Sequence, residues 1–230
     1  SARSAGIPVA AIATGGKLLE RAITDHVPFI RLLSDGIQPR SAIGLSVMAL
    51  LALMNDREGI EVASGLSSLL LPQESEEAGK QLAARTRNHI PLIYVSLRNR
   101  AVGYIWKIKF NETGKVPTFC NVIPEANHNE MTGFDVVESL KELSSRFYAF
   151  FLRDSEDDGR VQKRMGIMKE MYSSRGVGGE EIIFAGRNRL ERLCSLIILA
   201  DWAALYMADF LGADPDQVPM VEEFKKRMTE

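Results

Sequence analysis

The residues best suited to chemistry lie in one stretch, NVIPEANHNEMTGF, at residues 121–134. An apolar run there gives way to two amides, an imidazole and a carboxylate, between Pro124 and Gly133. This composition favours a loop that follows a buried strand. A carboxylate in such a loop, Glu130, could act as a general base and move a proton between neighbouring carbons of a bound sugar. The alternative is a carboxylate that caps a helix or braces the loop.

Metal binding is not predicted. His128 could be a ligand, but the other histidines, His26 and His89, stand alone without ligand spacing. The acidic loop at residues 151–161, FLRDSEDDGRV, is typical of a solvated turn in which Asp158 or a neighbour caps the following helix. A divalent-metal site in that loop is the alternative.

A second candidate site is SDGIQPR, at residues 34–40, where Gly36 and Arg40 follow a predicted strand. Arg40 would lie in the first turn of the next helix, where an arginine can bind a phosphate or sugar oxygen in a bidentate manner. The alternative is a surface arginine paired with a carboxylate. The earlier ATGGK lacks the spacing of a phosphate loop and is predicted to be a plain turn.

Composition narrows the class of protein. The chain has 230 residues, 46% of them hydrophobic and 25% charged, with a net charge of −2. Such a balance gives no reason to expect a nucleic-acid partner. The strongest apolar run, at residues 42–54, is too short to span a bilayer and is predicted to be a buried helix, so no membrane association is expected. Two distant cysteines and no recognisable signal peptide favour the cytoplasm.

The order of elements predicts an α/β fold with two three-layer units, each a parallel sheet between helices. Strands are predicted in GIPVAAIATGG, VPFIRLLSDG, IPLIYVSL, VPTFCNVIP, SSRFYAFFLRD and EEIIFAG. Helices are predicted in KLLERAI, PRSAIGLSVMALLALM, RAVGYIWKIKFNETGK, DGRVQKRMGIMKEMYSSRG, RLERLCSLIILADWAALYMADFLG and MVEEFKKRM. The expected units are 1–57, an incomplete first unit, and 90–230, joined by a helical connection at 58–89. An active site is expected between them, near the carboxyl ends of the strands.

The sequence resembles the bifunctional phosphoglucose/phosphomannose isomerases of the sugar isomerase (SIS-domain) superfamily. The resemblance runs over nearly the whole chain and rests on SDGIQPRSAIG, WKIKFNE, GKVPTFCNVIPEANHNEMTGF and ERLCSLIILADWAALYMADFLGADP. It implies two SIS subdomains, a homodimer, and no metal or organic cofactor. It also implies reversible isomerisation of glucose 6-phosphate or mannose 6-phosphate to fructose 6-phosphate through an enediol, as in glycolysis and gluconeogenesis.

The resemblance also implies residue roles. Glu130 matches the base that moves the proton between C1 and C2, and Arg40 matches the arginine that stabilises the enediolate. Lys225, in the last helix, matches a lysine that approaches the oxygens of the substrate. Gly36, Asn127 and His128 are expected to bind the substrate.

The sequence departs from the family pattern at two places. Many members open the sugar ring with a histidine in a DEHPRV-like stretch, and alignment puts Asp158 at that position. Aspartate normally stays ionised where imidazole titrates, so ring opening would fall to another group such as His128. The family's Ser/Thr-rich phosphate loop would lie before Ser1. Two alternatives therefore stay open: a non-catalytic sugar-phosphate-binding or regulatory SIS protein, and an isomerase or lyase for a different phosphosugar.

Overall fold

A computed structural model describes residues 2–33, 36–135 and 138–229, without the side chain of Arg3. The chain divides into two compact units, Ser1–Leu70 and Leu71–Glu230. The division falls inside the segment predicted as a connection. Each unit has its own sheet, and both sheets are parallel. The predicted α/β class with parallel sheets is therefore confirmed.

The first unit follows the predicted order of strand, helix, strand, helix. Its two strands pair in parallel, with Ala11 opposite Phe29. The elements are β1 (Ala11–Ala13), α1 (Gly16–Thr24), β2 (Phe29–Arg31), α2 (Ile43–Leu53) and α3 (Arg57–Leu69). The helix α3 lies almost entirely within the predicted helical connection at 58–89, although its bounds were not predicted. It is capped by Asp56, whose Oδ1 accepts a hydrogen bond from the backbone N–H of Gly59 at 2.8 Å.

The prediction that the apolar run at residues 42–54 forms a buried helix is half right. The run does form a helix, but Ala49 is the one buried residue of α2. Leu50 is 51% exposed and Met54, just after the helix, is 65% exposed. An all-round apolar helix needs neighbours on every side to be buried, and a two-stranded sheet offers too little surface for that.

The second unit is built on a four-stranded sheet in the order β4-β3-β5-β6. The strands are β3 (Ile90–Ser96), β4 (Phe119–Ile123), β5 (Phe147–Arg153) and β6 (Gly178–Ile183). The helices are α4 (Glu76–Thr86), α5 (Arg100–Glu112), α6 (Glu130–Gly133), α7 (Lys141–Ser144), α8 (Gly159–Ser174), α9 (Arg189–Leu211) and α10 (Pro219–Arg227). Because all pairings are parallel, the loops that follow the strands meet at one edge of the sheet.

The central strand β3 is buried on both faces, as its continuous apolar sequence predicts. Ile93 and Val95 pack in a core cluster with α4, α5 and α9. Leu92 and Tyr94 point to the opposite face and pack in a second cluster with α8. The unit is therefore the predicted three-layer sandwich.

The long helix α9 forms the core of one outer layer. It packs against α4 and α5, and Leu196, Ala200 and Met207 are buried in the first cluster. By length and composition alone α9 could cross a membrane, a test that core helices of folded domains also pass. Its packing against α4 and α5 accounts for the apolar residues on its buried face.

Candidate active site

The stretch NHNE lies at the carboxyl edge of the four-stranded sheet. It follows β4, which ends at Ile123, and continues as a 3-10 turn, Glu125–Asn127, and the short helix α6. Ala126, within the turn, is 2% exposed and packs in the same cluster as Tyr94. The buried alanine thus anchors the loop to the sheet and fixes where α6 begins.

Glu130, the first residue of α6, is held by a tyrosine from the centre of the sheet. The hydroxyl of Tyr94 donates a hydrogen bond to Glu130 Oε2 at 2.8 Å. The hydroxyl of Tyr172, on α8, lies 3.1 Å from that of Tyr94. Because Tyr94 can donate one proton, its bond to the carboxylate leaves Tyr172 as the donor of the second bond. The three side chains therefore form a short chain that ends on the carboxylate.

The pKa values of the three hydrogen-bonded side chains separate two hydroxyl donors that stay protonated from a carboxylate that can titrate. Partial burial raises the pKa of Glu130, and the hydrogen bond from Tyr94 works against that rise. Burial raises the pKa of Tyr94 well above its usual value and that of Tyr172 to about 12. Both hydroxyls therefore stay protonated at neutral pH, and Glu130 is the group in the chain that can exchange a proton.

Aromatic packing holds the two tyrosines in place. Tyr94 is 1% exposed and stacks on Phe151, with ring centroids 5.3 Å apart. Tyr172 is 2% exposed and contacts Phe134, with centroids 4.7 Å apart. Phe134 comes one residue after α6, so the aromatic cluster contacts α6 at both ends: Tyr94 at Glu130, and Tyr172 at Phe134.

The neighbours of Glu130 in the stretch have different surroundings. Asn127 is partly buried, and its Nδ2 lies 3.3 Å from the sulfurs of both Met131 and Met168. Its Oδ1 is buried and has no hydrogen-bond partner. His128 is exposed at the end of the 3-10 turn. Asn127, His128 and Glu130 thus lie within one continuous turn beside the sheet edge.

The acidic loop after β5 is only in part the solvated turn that its composition predicts, since Glu156 and Asp158 are exposed but the other two carboxylates are buried. Asp154 is 0% exposed and Asp157 is 6% exposed. Asp157 Oδ1 accepts hydrogen bonds from Ser96 Oγ at 2.6 Å and Asn99 Nδ2 at 3.1 Å. These partners come from the end of β3 and the turn after it, so the carboxylate ties two neighbouring loops together.

Arginines from α9 complete this network, which sequence reasoning missed. Arg192 is 7% exposed and lies against Asp154 and Glu156. Arg189 Nη1 lies 3.5 Å from Asp154 Oδ2. Arg192, and then Arg98, holds the pKa of Glu156 below its usual value. Four carboxylates can lie in one loop because arginines distant in sequence neutralise part of their charge. The composition of the loop itself gives no indication of those arginines.

Asp158 has a structural partner. Its Oδ1 accepts a hydrogen bond from the backbone N–H of Arg160 at 2.8 Å, which makes Asp158 the N-cap of α8. This is the cap considered from the sequence. Within residues 2–33, 36–135 and 138–229, no three His, Cys, Asp or Glu side chains are grouped to hold a metal ion.

The remaining predicted residues lie elsewhere. Lys225 is on α10, 63% exposed, and its Nζ pairs with Glu222 at 2.7 Å. Gly36 and Arg40 belong to the first unit. Gly36 has φ +78°, a conformation that favours glycine, and Arg40 is buried at 7% exposure, with Nη1 3.4 Å from Gln38 Oε1. The rest of SDGIQPR, Ser34 and Asp35, falls outside the described residues.

Comparison with known proteins identifies the family. Residues 75–228 match the family described as "Bacterial phospho-glucose isomerase C-terminal SIS domain". The chain is 35% identical to a bifunctional phosphoglucose/phosphomannose isomerase of Caldicellulosiruptor bescii, over 100% of this chain and 70% of the relative. The chain belongs to this isomerase family. It is also 31% identical to the enzyme of the same name from Aquifex aeolicus, over 97% of this chain and 68% of that one.

Solved structures place this member of the isomerase family among SIS-type folds. A glucose-6-phosphate isomerase like protein from Thermus thermophilus superposes with a TM-score of 0.65 at 19% identity, over 94% of this chain and 77% of that chain. Tagatose-6-phosphate ketose/aldose isomerase from Escherichia coli gives 0.61 at 16% identity, over 90% and 61%. These similarities support the fold, and the family resemblance seen in the sequence is confirmed.

Sequence reasoning did not find Tyr94 and Tyr172. Tyr94 sits in the apolar strand sequence IPLIYVSL, where it passes for a core aromatic. One signal was available: Tyr94 is three residues from the end of a predicted strand, and parallel strands bring such positions near the next loop. No comparable signal marks Tyr172, which lies in the last turn of α8.

Proposed function

We propose that the protein interconverts glucose 6-phosphate, and mannose 6-phosphate, with fructose 6-phosphate through an enediol. The observation that carries the proposal is the half-buried Glu130, hydrogen-bonded by a buried tyrosine at the sheet edge. Membership of the isomerase family supports it from the side of the sequence.

In this proposal Glu130 is the general base. Its carboxylate takes the proton from C2 of the open-chain aldose, and the electron pair of that C–H bond forms the C1–C2 double bond. The C1 carbonyl oxygen gains the charge, and the proton on the C2 hydroxyl passes to it as the C2 ketone forms. Glu130 then returns its proton to C1. Partial burial helps, because a base whose pKa is raised toward the working pH is stronger when it accepts the proton.

The charge that develops on the oxygens needs a cation. We assign this role to Arg40, since a fixed guanidinium can stabilise an enediolate by hydrogen bonding and charge. Lys225, Gly36, Asn127 and His128 are assigned to substrate binding or to contacts with its oxygens. The exposed ammonium of Lys225 shares its charge with Glu222 and can turn to a ligand, because the lysine stem is flexible.

Ring opening is the step for which Asp158 is least suited. Its carboxylate is committed to the first turn of α8. We therefore assign ring opening to another group, and His128, exposed in the same turn as Glu130, is the first candidate. The cap also favours the rival function, a sugar-phosphate-binding protein that has lost catalysis.

A substrate panel tests the proposal. The full chain is given fructose 6-phosphate, glucose 6-phosphate, mannose 6-phosphate and a phosphoketose with a different configuration, and product formation is followed by coupled assay. We expect turnover of fructose 6-phosphate, glucose 6-phosphate and mannose 6-phosphate. Tight binding of fructose 6-phosphate with no turnover of any substrate would favour the binding protein instead, and turnover of the fourth alone would favour a different phosphosugar isomerase.

The homodimer, the cytoplasmic location and the role in glycolysis and gluconeogenesis are part of the same proposal. The dimer and the metabolic role rest on the family resemblance, and the location rests on the cysteines and the lack of a recognisable signal peptide in the given sequence. Light scattering of the full chain tests the dimer: a mass of twice 25.5 kDa is expected, and a monomer at micromolar concentration would contradict it.

A further inference from the structure

A cavity lies between α8 and the NHNE turn. Its volume is about 480 Å³, within the range of small-ligand sites, and one wall is formed by Arg160, Lys163 and Arg164. These residues occupy positions i, i+3 and i+4 in the first two turns of α8, so their side chains emerge on one face of the helix. None of the roles proposed for isomerisation uses them.

In the described part of the chain, these three cations have no side-chain partner. Among the described residues, no hydrogen bond or ion pair engages the side chain of any of them. Neither Lys163 nor Arg164 has an acidic residue three or four positions away in either direction. Like charges at this spacing repel, and an anion bound beside the three exposed side chains would offset that repulsion.

The rest of the lining supplies apolar surface and one unsatisfied acceptor. Met131 and Met168 line the cavity, together with Asn127. The amide of Asn127 directs its N–H groups at the two sulfurs, which are weak acceptors, and leaves its buried Oδ1 without a partner. A ligand hydroxyl or amine could satisfy that oxygen, and the flexible methionine side chains could move to admit it.

We propose that this cavity binds a small molecule with a diphosphate or two phosphate groups and a hydroxyl or amine donor. The phosphates contact Arg160, Lys163 and Arg164, and the donor reaches Asn127. Phosphate suits the three cations because arginine binds it in a bidentate manner and lysine adds a point charge. The binding site stands whether or not the chain is an isomerase.

A ligand in the cavity would affect Glu130, the proposed base. Met131, which lines the cavity, directly follows Glu130 in α6. A ligand there rearranges the contacts of Met131 and Asn127 and so alters the turn that carries the carboxylate. This consequence for activity, unlike binding itself, rests on the proposed function.

Calorimetry with inorganic pyrophosphate tests the site. Pyrophosphate is titrated into the full chain, into the double variant Lys163→Gln/Arg164→Gln, and into Lys141→Gln/Arg146→Gln as a control. The control removes the same charge from exposed residues that pair with local carboxylates. We expect one pyrophosphate per chain, at least roughly tenfold weaker binding in the first variant, and less than about twofold change in the control.

Fructose 6-phosphate then separates the cavity from the proposed substrate site. Both proposed ligands contact Asn127, but pyrophosphate needs only the three cations, so it should still bind in the presence of saturating fructose 6-phosphate. The proposal is overturned by the absence of saturable binding, by equal weakening in both double variants, or by binding that Lys163→Gln/Arg164→Gln retains and fructose 6-phosphate displaces in full.

Discussion

The hydroxyl of Tyr94 donates a 2.8 Å hydrogen bond to Glu130 Oε2, which joins the most buried strand of the sheet to the carboxylate at its edge. Tyr94 is 1% exposed, whereas Glu130 is only half buried. A rigid donor therefore orients a carboxylate that is still accessible to a ligand. This relationship gives Tyr94 a positioning role for the proposed base.

Replacing Tyr94 by phenylalanine should shift the pH dependence of isomerisation. The Tyr94 bond favours the ionised carboxylate, so its loss raises the pKa of Glu130 further. The acid limb of kcat/KM, which reports the free enzyme, should therefore move to higher pH in Tyr94→Phe. Tyr172→Phe keeps the direct bond and should shift the limb less. The exposed Tyr104 provides the control, and a limb that moves equally in Tyr104→Phe, or not at all in Tyr94→Phe, would refute the role of the bond.

The pH dependence of the free energy of unfolding should also report the raised pKa of Glu130. The folded pKa of Glu130 is raised above its unfolded value, so between the two values the folded state binds more protons. Stability from this group is fully present below the unfolded pKa and is lost as pH rises through the folded pKa. Glu130→Gln removes that loss. The free energy of unfolding of the variant minus that of the wild type should therefore grow from about pH 4 to about pH 7.

Urea denaturation of both proteins across this range is the measurement. The control is Glu125→Gln, which removes an exposed carboxylate five residues earlier in the same loop and should show a smaller change with pH. A Glu130→Gln difference that stays constant or shrinks with rising pH would show that burial does not raise the pKa of this carboxyl.

Asp158 should behave as a helix cap. Asp158→Ala removes the acceptor for the backbone N–H of Arg160 and should lower the free energy of unfolding by about 1 kcal/mol. Asp158→Asn keeps an acceptor and should retain most of the stability and the turnover. Thermal unfolding and the coupled assay check both points. A folded Asp158→Asn protein without turnover would instead assign Asp158 a chemical role.

The contact between α4 and α9 should tolerate no added atom at Gly79. A Cβ there would lie 2.3 Å from Trp202 Cβ and 2.9 Å from the backbone nitrogen of Ala203. Gly79→Ala should therefore destabilise the protein by roughly 1–3 kcal/mol. Gly166, within α8, has open space around it, so Gly166→Ala should stabilise by about 0.5–1 kcal/mol. Equal effects of the two substitutions in urea unfolding would contradict this packing.

Regular elements were predictable because their signals are local. The apolar runs at β3 and β5 and the glycine that ends α9 are read directly from neighbouring residues. The helix α3 was expected only as part of a helical connection, and its bounds at Arg57 and Leu69 were not predicted. The burial of α2 was overpredicted because hydropathy alone does not say whether a unit has surface to cover it.

The candidate site was predictable only in part. NHNE carries its own signal, a dense polar cluster after an apolar strand. The partner of Glu130 does not, because Tyr94 lies 36 residues earlier and becomes a neighbour through the pairing of β3 and β4. The burial of Asp154 was not predictable for a similar reason, since its partner Arg192 lies on α9, far away in sequence.

Proton transfer at C2 is the most direct test of Glu130 as the base. The full chain is incubated with glucose 6-phosphate labelled with tritium at C2, and loss of tritium from C2, either to water or to C1 of the product, is measured beside product formation. Wild type and Glu125→Gln should lose the label from C2, whereas Glu130→Gln, folded by circular dichroism, should be at least about 100-fold slower in both measurements. Loss of the C2 label in Glu130→Gln at the wild-type rate, or its full retention at C2 in the wild type, would contradict the proposed function of this carboxylate.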